Sequence, residues 1–509
     1  VKAFYLTPIL LVSALILAAC GSTPDGPAAP AVTPPPATAV VEPDPTDVPP
    51  EPAAVSAGQS PTAEPPPAAA PDPVRDTQPL DPATWPAAEA GMISIDAGQA
   101  FGRISPFVYG TNFDPAMTVP VALLDTANES MGIRFMRFPG GGYGDMNEVL
   151  PNQYDAFIKL ARKLGAEPHI HVRFWQRTPQ DAAEVVRYVN LEQGYGVRYW
   201  AIGNEPPYFY PDYTAEQYAA EWRSFAETML AVDPSISIVG PDLSQFGPAE
   251  VARTRGDVAE ARAWMRVFLE ANGDLVDLVT FHRYPFPLRN GLENATVETL
   301  RPVAAEFDQT IPELRAMIRE TTGRDIPVGM LEINTDSSRG TGGEASSDSP
   351  FAAVWLADVL GRMIRQGVPV VAQYAFQTRD GRGGWGLLNR SNVRPQFYVY
   401  QLYRRFGQEQ VYAATGLLDV TATAALRDDG ALTVMVVNLG DEAAGATLRL
   451  AGHPGGMAQV YRIDETNLVD LPAVPDGREV MEPVELVDGG TVTLPPRSAT
   501  LFVLPIGEE

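Results

Sequence analysis

Eight short apolar runs recur between residues 104 and 376, most of them separated by helical patterns. They are Ile104–Gly110, Gly132–Arg137, Pro168–Phe174, Arg198–Gly203, Ser237–Pro241, Leu278–Tyr284, Ile326–Glu332 and Val370–Phe376. Strands that alternate with helices pair in parallel, because each crossover returns the chain to the same end of the sheet. Eight such units over roughly 300 residues predict an α/β fold of the (β/α)8 barrel type with insertions. The helix signals agree. Thr178-Pro179 reads as an N-cap with proline in the first turn, Thr214 and Gln217 have capping-box spacing, and Ser349-Pro350 opens another helix. Trp222, Phe225, Met229 and Val232 repeat at helical intervals and read as core.

After Gly407 the pattern becomes all β. The runs Thr421–Leu426 and Ala431–Leu439 flank the turn signal Asp428-Asp429-Gly430, and Ala446–Leu450, Gln459–Ile463 and Thr500–Leu504 follow. The predicted layout is a barrel over residues 91–408 and a small antiparallel β-sandwich over 409–509, to which 91–97 can add a strand.

The N-terminal part has a different texture. Residues 1–20 read as a signal peptide whose apolar run is too short for a comfortable membrane span. Its end, Leu17-Ala18-Ala19-Cys20, resembles a bacterial lipobox, which makes Cys20 the candidate lipidation site and the envelope or cell surface the expected location. Residues 21–90 are dominated by Pro, Ala, Thr, Val and acidic residues, the composition of a disordered, semi-rigid tether. Cys20 is the sole cysteine, so neither an internal disulfide nor a thiolate metal cage can form. A formal charge of −26 argues against a nucleic-acid partner. No phosphate loop or dinucleotide fingerprint occurs in the right context, and no cofactor is implied.

Two segments carry candidate chemistry. Arg198–Tyr210, RYWAIGNEPPYFY, is an apolar run ending in Asn204-Glu205 before a proline break. Ile326–Ser338, IPVGMLEINTDSS, ends its run in Glu332. In a barrel the C-terminal ends of strands line the active site. These two are the fourth and seventh strands, on opposite sides of the mouth, and a facing carboxylate pair is what glycosidic bond cleavage requires. The Asn204 amide can hold a sugar hydroxyl while its neighbour protonates the leaving oxygen.

At this point the sequence resembles the clan A glycoside hydrolases, in which the acid/base ends strand four as Asn-Glu and the nucleophile ends strand seven. Ile133–Gly142, IRFMRFPGGG, resembles the strand-two Arg-x-Pro-Gly-Gly segment of the α-L-arabinofuranosidase group and related endoglucanases. Ala182–Asn190 with Val197–Pro206 resembles that group's approach to the acid/base, and Phe281-His282-Arg283-Tyr284 its strand-six segment. The resemblance implies a retaining hydrolase with Glu205 as acid/base, Glu332 as nucleophile and Asn204 on the sugar 2-hydroxyl. It implies that Arg137 and Tyr284 orient Glu332 and keep it ionised, with His282 beside the nucleophile. Arabinofuranoside, xylan and β-glucan substrates all fit. The context LEINTDSS, and a strand eight, VVAQYAFQT, without tryptophan, depart from the group and leave the substrate open.

Other candidates surround this pair. His171, alternating with His169 on strand three, reads as a sugar hydrogen-bonding residue. Trp175 reads as either a sugar platform or core, and Trp385 as an exposed subsite. Tyr374, Phe376 or Trp385 can supply the strand-eight platform. Ser337–Ser349 is too polar and glycine-rich to pack and reads as a lid or a passive loop. Two readings compete with the enzyme: a non-catalytic carbohydrate-binding surface lipoprotein with a degenerate barrel, and a metal hydrolase using His169, His171 and His282. The two glutamates already account for the chemistry without a metal.

Overall fold

The computed structural model of the chain describes residues 72–117, 124–125, 129–286, 295–338, 341–378, 382–390 and 392–506. The signal peptide, Cys20 and the proline-rich stretch through residue 71 lie outside the described residues. Among the described residues no helix is long and apolar enough to cross a membrane.

After a first strand, β1 (Met92–Arg103), eight parallel strands close a barrel. They are β2 (Gly110–Asn112), β3 (Phe135–Phe138), β4 (Glu167–Val172), β5 (Tyr199–Ile202), β6 (Ser237–Leu243), β7 (Leu278–Arg283), β8 (Val328–Ile333) and β9 (Val370–Gln373). Closure is made by Gly110 of β2, which pairs with Phe135 on one side and Ala372 on the other. Alternation along each strand divides the side chains. Met136, Phe138, Ile170, Trp200, Ile202, Val279 and Phe281 point outward into the main core under the helices. Phe135, Tyr199, Ala201, Val239, Leu278, Val370 and Ala372 point inward and fill the barrel floor.

The first barrel strand falls later than the sequence suggests. Within Ile104–Gly110 the chain makes a short 3-10 turn, Pro106–Val108, capped by Ser105, whose hydroxyl accepts from the Phe107 N–H. Proline has no N–H to give a strand ladder. Phe107 instead turns into the floor cluster, and pairing begins at Gly110.

The tether is also shorter than composition predicts. Residues 72–90 are packed. Val74, 2% exposed, joins the floor cluster and plugs the barrel from below. Asp72 caps the short helix Pro73–Asp76 and accepts from Arg198 at 2.5 Å and from the Tyr199 hydroxyl at 2.7 Å. Further along, the Leu80 N–H donates to the Gln366 carbonyl, Trp85 stacks on Phe101 and the Pro86 carbonyl accepts from the Tyr412 hydroxyl, so a segment with the average composition of a linker is attached at several points.

The remaining strands are β10 (Glu409–Thr415), β11 (Val420–Leu426), β12 (Leu432–Asn438), β13 (Ala444–Ala451), β14 (Gly456–Asp464), β15 (Val480–Leu486), β16 (Thr491–Leu494) and β17 (Ser498–Leu504). With β1 they form one nine-stranded sheet in the order β15-β14-β17-β12-β11-β10-β1-β13-β16. It is antiparallel except where β1 lies parallel to β13, so the all-antiparallel expectation fails at the strand borrowed from before the barrel. All nine strands feed one apolar cluster, including Ile93, Ile95, Val434, Leu448, Val460 and Phe502, so the sheet bends over its own core in sandwich fashion. Its other face, through Met435, Val437, Ile463 and Leu501, joins the core under the barrel helices Pro350–Arg365 and Pro395–Tyr403.

Asp72→Ala removes a helix cap and leaves the buried Tyr199 hydroxyl without its acceptor. It should cost about 1–3 kcal/mol, read from the urea midpoint at unchanged m-value. A variant as stable as the parent would mean that residues 72–90 are not part of the folded body.

Candidate active site

Two irregularities shape the C-terminal rim of the barrel: β6 carries an extra residue between Gly240 and Leu243, and β8 carries one between Met330 and Ile333 that breaks its register with both β7 and β9. A bulge adds a residue and re-aims the side chains that follow. In β8 Met330 faces out and Leu331 faces the floor, so strict alternation would send Glu332 outward. The break keeps it inside. Asp242 likewise points inward, at φ +54°.

Arg137, fully buried on β3, joins these residues. Its Nη1 donates to Glu332 Oε1 at 2.8 Å and to Asn112 Oδ1 at 3.1 Å. Its Nη2 donates to Asn204 Oδ1 at 2.6 Å and to Asp242 Oδ2 at 2.9 Å. Glu332 accepts two further bonds, from the Gly141 N–H at 3.0 Å and the Tyr284 hydroxyl at 2.7 Å. Gly141 has φ +58°, and a Cβ there would lie 2.9 Å from the Tyr374 hydroxyl oxygen, so a side chain would disturb this donor.

Glu205 follows β5 at φ +49°, with its N–H donating to the Asp242 carbonyl at 3.1 Å. His282 links the two glutamates: its Nδ1 lies 3.0 Å from Glu205 Oε1 and 3.8 Å from Glu332 Oε2. Glu205, His282 and Glu332 each present an atom within 4.8 Å of the other two, and among the described residues they are the only such group of three metal-capable side chains. The Asn204 amide, fixed by Arg137 through its oxygen, keeps an unpaired buried N–H2. That donor has no partner among the described residues, and Asn204 itself is fully buried.

The electrostatics follow from burial among like and unlike charges. Burial is the largest influence on Glu332 and, with Glu205 nearby, pushes its carboxyl above the usual range; His282, Arg137 and the Tyr284 hydroxyl pull the other way. The resemblance implied that Arg137 keeps Glu332 ionised, and the arginine does act in that direction, but burial outweighs it. Burial also opposes charge on His282, yet Glu332, the bond to Glu205 and Asp242 together raise it above an ordinary histidine. At Asp242 the order reverses: burial alone would raise it, but Arg137, His282, His169 and the Thr280 hydroxyl hold it below the usual carboxylate range.

The pair opens into a cleft of about 880 Å³ that runs along the loops after β5 and β6, past Tyr208, Phe209, Tyr213, Arg255 and Asp257. Trp385 and Tyr374 form its wall beside Glu332, with ring centroids 5.8 Å apart at 67°. Phe376 is buried and packs near Phe113, so of the three platform candidates two face the cleft.

Of the remaining candidates, His171 and Trp175 do not line the cleft. His171 is 1% exposed inside the barrel, where burial drives its pKa well below 6.5, and the same cause pushes His169 down to about 3. Both alternate inward as their spacing implies, but neither joins His282 in a ligand set. Trp175 is half-buried against the core, its N–H donating to Asp145 at 3.3 Å. Contrary to expectation, much of the polar loop after β8 is packed, although residues 341–344 are exposed. Asp336 accepts from the backbone and hydroxyl of both Ser338 and Ser347, and Ala345, Ser346 and Ser347 are buried; residues 339–340 lie outside the described residues. Sequence reasoning missed Asn112 and Asp242. The segment SIVGPDL does carry the signal used for Glu205, a carboxylate at the end of an apolar run.

No family model matches the chain. A probable α-L-arabinofuranosidase C of Aspergillus fumigatus is 23% identical over 447 residues, covering 70% of this chain and 86% of the relative. The α-L-arabinofuranosidase C of Emericella nidulans is 25% identical over 515 aligned positions, covering 81% and 97%. Among solved structures, an α-L-arabinofuranosidase from Thermotoga maritima in complex with arabinose superposes with a TM-score of 0.63 at 17% identity, over 81% of this chain and 99% of that one. A family 44 xyloglucanase of Paenibacillus polymyxa gives 0.61 at 18%, over 82% and 100%. At such identities the structural likeness shows the fold: a barrel with a C-terminal β domain.

Arg137→Met should leave Glu332 and Asp242 buried without their cation, a loss of about 3–5 kcal/mol at neutral pH. Because Arg137 depresses Asp242, the stability it supplies is present above the ordinary aspartate pKa and is lost as pH falls through the depressed value. The gap between parent and variant in denaturation midpoint should therefore be widest at pH 6–7 and narrow toward acid. A gap constant across that range would contradict the charge network.

Proposed function

We propose that the chain is a glycoside hydrolase of the arabinofuranosidase and endoglucanase type, like the relatives and clan A structures it resembles, and that it cleaves with retention of configuration through Glu205 and Glu332. The observation that carries the reading is the spacing of the pair. Retaining enzymes hold their carboxyl groups about 5–5.5 Å apart, inverting ones roughly 6.5–9.5 Å. One oxygen of Glu205 lies within 4.8 Å of one of Glu332, a nearest approach consistent with the shorter, retaining separation.

In this reading Glu332 attacks the anomeric carbon and forms a glycosyl ester. Arg137, the Gly141 N–H and the Tyr284 hydroxyl aim the attacking carboxylate. Glu205 gives its proton to the leaving oxygen, then takes one from the water that hydrolyses the ester. His282, bonded to Glu205 and close to Glu332, adjusts to the proton moving on and off its neighbour. The unpaired Asn204 N–H2 binds the sugar 2-hydroxyl. Tyr374 and Trp385 flank the cleaved residue, and the cleft along Tyr208 and Phe209 suits an oligosaccharide or polysaccharide. The arabinofuranosidase names of the relatives support α-L-arabinofuranosides as the first substrates to test, and a glucanase-xylanase and a xyloglucanase among the structural neighbours support xylan and β-glucan types after them. We also propose a lipid anchor at Cys20; Cys20→Ser should release the protein from the envelope fraction or leave it unprocessed, and a variant that fractionates like the parent would remove the anchor.

Opposite stereochemistry in two variants tests the mechanism. Glu332→Gly should lose roughly 10³-fold or more in turnover, and azide should restore reaction with inversion. Glu205→Ala should lose roughly 10²–10⁴-fold on poor leaving groups, keep activated aryl glycosides, and give azide products of retained configuration. Normal activity in either variant would remove the pair from the chemistry.

A further inference from the structure

A buried chain of hydrogen bonds behind Glu205 has no part in the chemistry described above. Asp145, fully buried, is an acceptor where three loops meet. Its Oδ1 accepts from the Phe174 N–H at 2.9 Å and the Trp175 N–H at 3.3 Å, both in the loop after β4. Its Oδ2 accepts from the Tyr210 hydroxyl at 2.5 Å. Tyr210 lies in the loop after β5 and is 1% exposed. The same hydroxyl oxygen accepts from the Asn204 N–H at 2.8 Å. Tyr210 has one hydroxyl proton, and Asp145 takes it, so the lone pair is left facing Asn204. The preceding residue allows this approach only as glycine: Gly203 has φ +74°, and a Cβ there would lie 2.5 Å from the Tyr210 oxygen.

We infer that Asp145 and Tyr210 are positioning residues for the acid/base, clamping the Asn204 peptide so that Glu205 is presented to the leaving oxygen. The inference rests on the reading of Glu205 as acid/base. Glu205 sits at φ +49°, a region that a glutamate rarely adopts without being held. Besides the Phe209 N–H on the Glu205 carbonyl and His282 on its carboxyl, three bonds tie this turn to its surroundings: the Asn204 N–H to Tyr210, the Asn204 side chain to Arg137, and the Glu205 N–H to the Asp242 carbonyl. Two of them are fixed by Arg137 and by β6, which also position Glu332. The Tyr210 bond serves the acid/base side alone. Its loss loosens the turn without touching the nucleophile, and a displacement of about 1 Å at a reacting group costs on the order of 10²-fold.

Because Asp145 and Tyr210 act through Glu205, their effect depends on how much acid assistance a substrate needs. Tyr210→Phe keeps the ring packing against Phe174 and Tyr218 and removes only the hydroxyl. Asp145→Asn keeps an oxygen for the Phe174 and Trp175 N–H groups but offers Tyr210 a donor in place of an acceptor. The experiment measures kcat/KM for a series of aryl glycosides against leaving-group pKa in the parent, in both variants and in Glu205→Ala, with thermal midpoints alongside. Tyr210→Phe should lose roughly 10- to 100-fold on poor leaving groups while the most activated stay near the parent, which steepens the plot. Asp145→Asn should steepen it in the same sense. Equal losses across the series, or none, would assign the pair a merely structural role and overturn the inference. If Glu205→Ala steepens the plot and Tyr210→Phe does not, only this inference fails. If Glu205→Ala does not steepen it, the acid/base reading itself fails.

Discussion

The site is built around one buried guanidinium. Arg137 touches Glu332, Asp242, Asn204 and Asn112, drawn from four other strands or strand ends of the barrel. Such a cluster is costly to bury, and its attraction offsets the desolvation only if nearly every donor and acceptor is matched. The planar fork of arginine meets that condition where a lysine point charge would not. The cluster therefore adds little net stability to the barrel and much to its specificity: any strand out of register would leave a buried charge without its partner. The two rim bulges, in β6 and β8, belong to the same arrangement, because they turn Asp242 and Glu332 inward to meet the arginine.

The floor of the barrel does the opposite work. Phe135, Tyr199, Leu278 and Val370, closed below by Val74 and Phe107, form a mainly apolar plug that carries packing energy, with the Tyr199 hydroxyl tied to Asp72. Stability thus comes from the bottom of the barrel and from the helices outside it, and chemistry occupies the top. The nine-stranded sheet, packed on the helices Pro350–Arg365 and Pro395–Tyr403, lends the barrel a second core remote from the cleft.

What was legible in the sequence follows this division. Short apolar strands alternating with helices betrayed the barrel, and a carboxylate ending such a strand betrayed Glu205 and Glu332, because both signals are local. Arg137 and Tyr284 came through resemblance, and both bond Glu332. The failures are long-range or break periodicity. Asp242 depends on a bulge that alternation does not anticipate. Val74 matters through contacts with residues far along the chain. His171 obeys its strand spacing, yet spacing does not say how deep in the barrel a residue lies. The loop after Glu332 looked too polar to pack because composition does not reveal that Asp336 gathers four donors from it.

The central claim is that Glu332 forms a covalent bond to the sugar instead of admitting water. Proton NMR during the first minutes of hydrolysis of an activated glycoside, before mutarotation, observes this without any mutation. The account predicts that the first sugar released has the anomeric configuration of the substrate. First release of the opposite anomer would contradict it and require a water between Glu332 and the anomeric carbon.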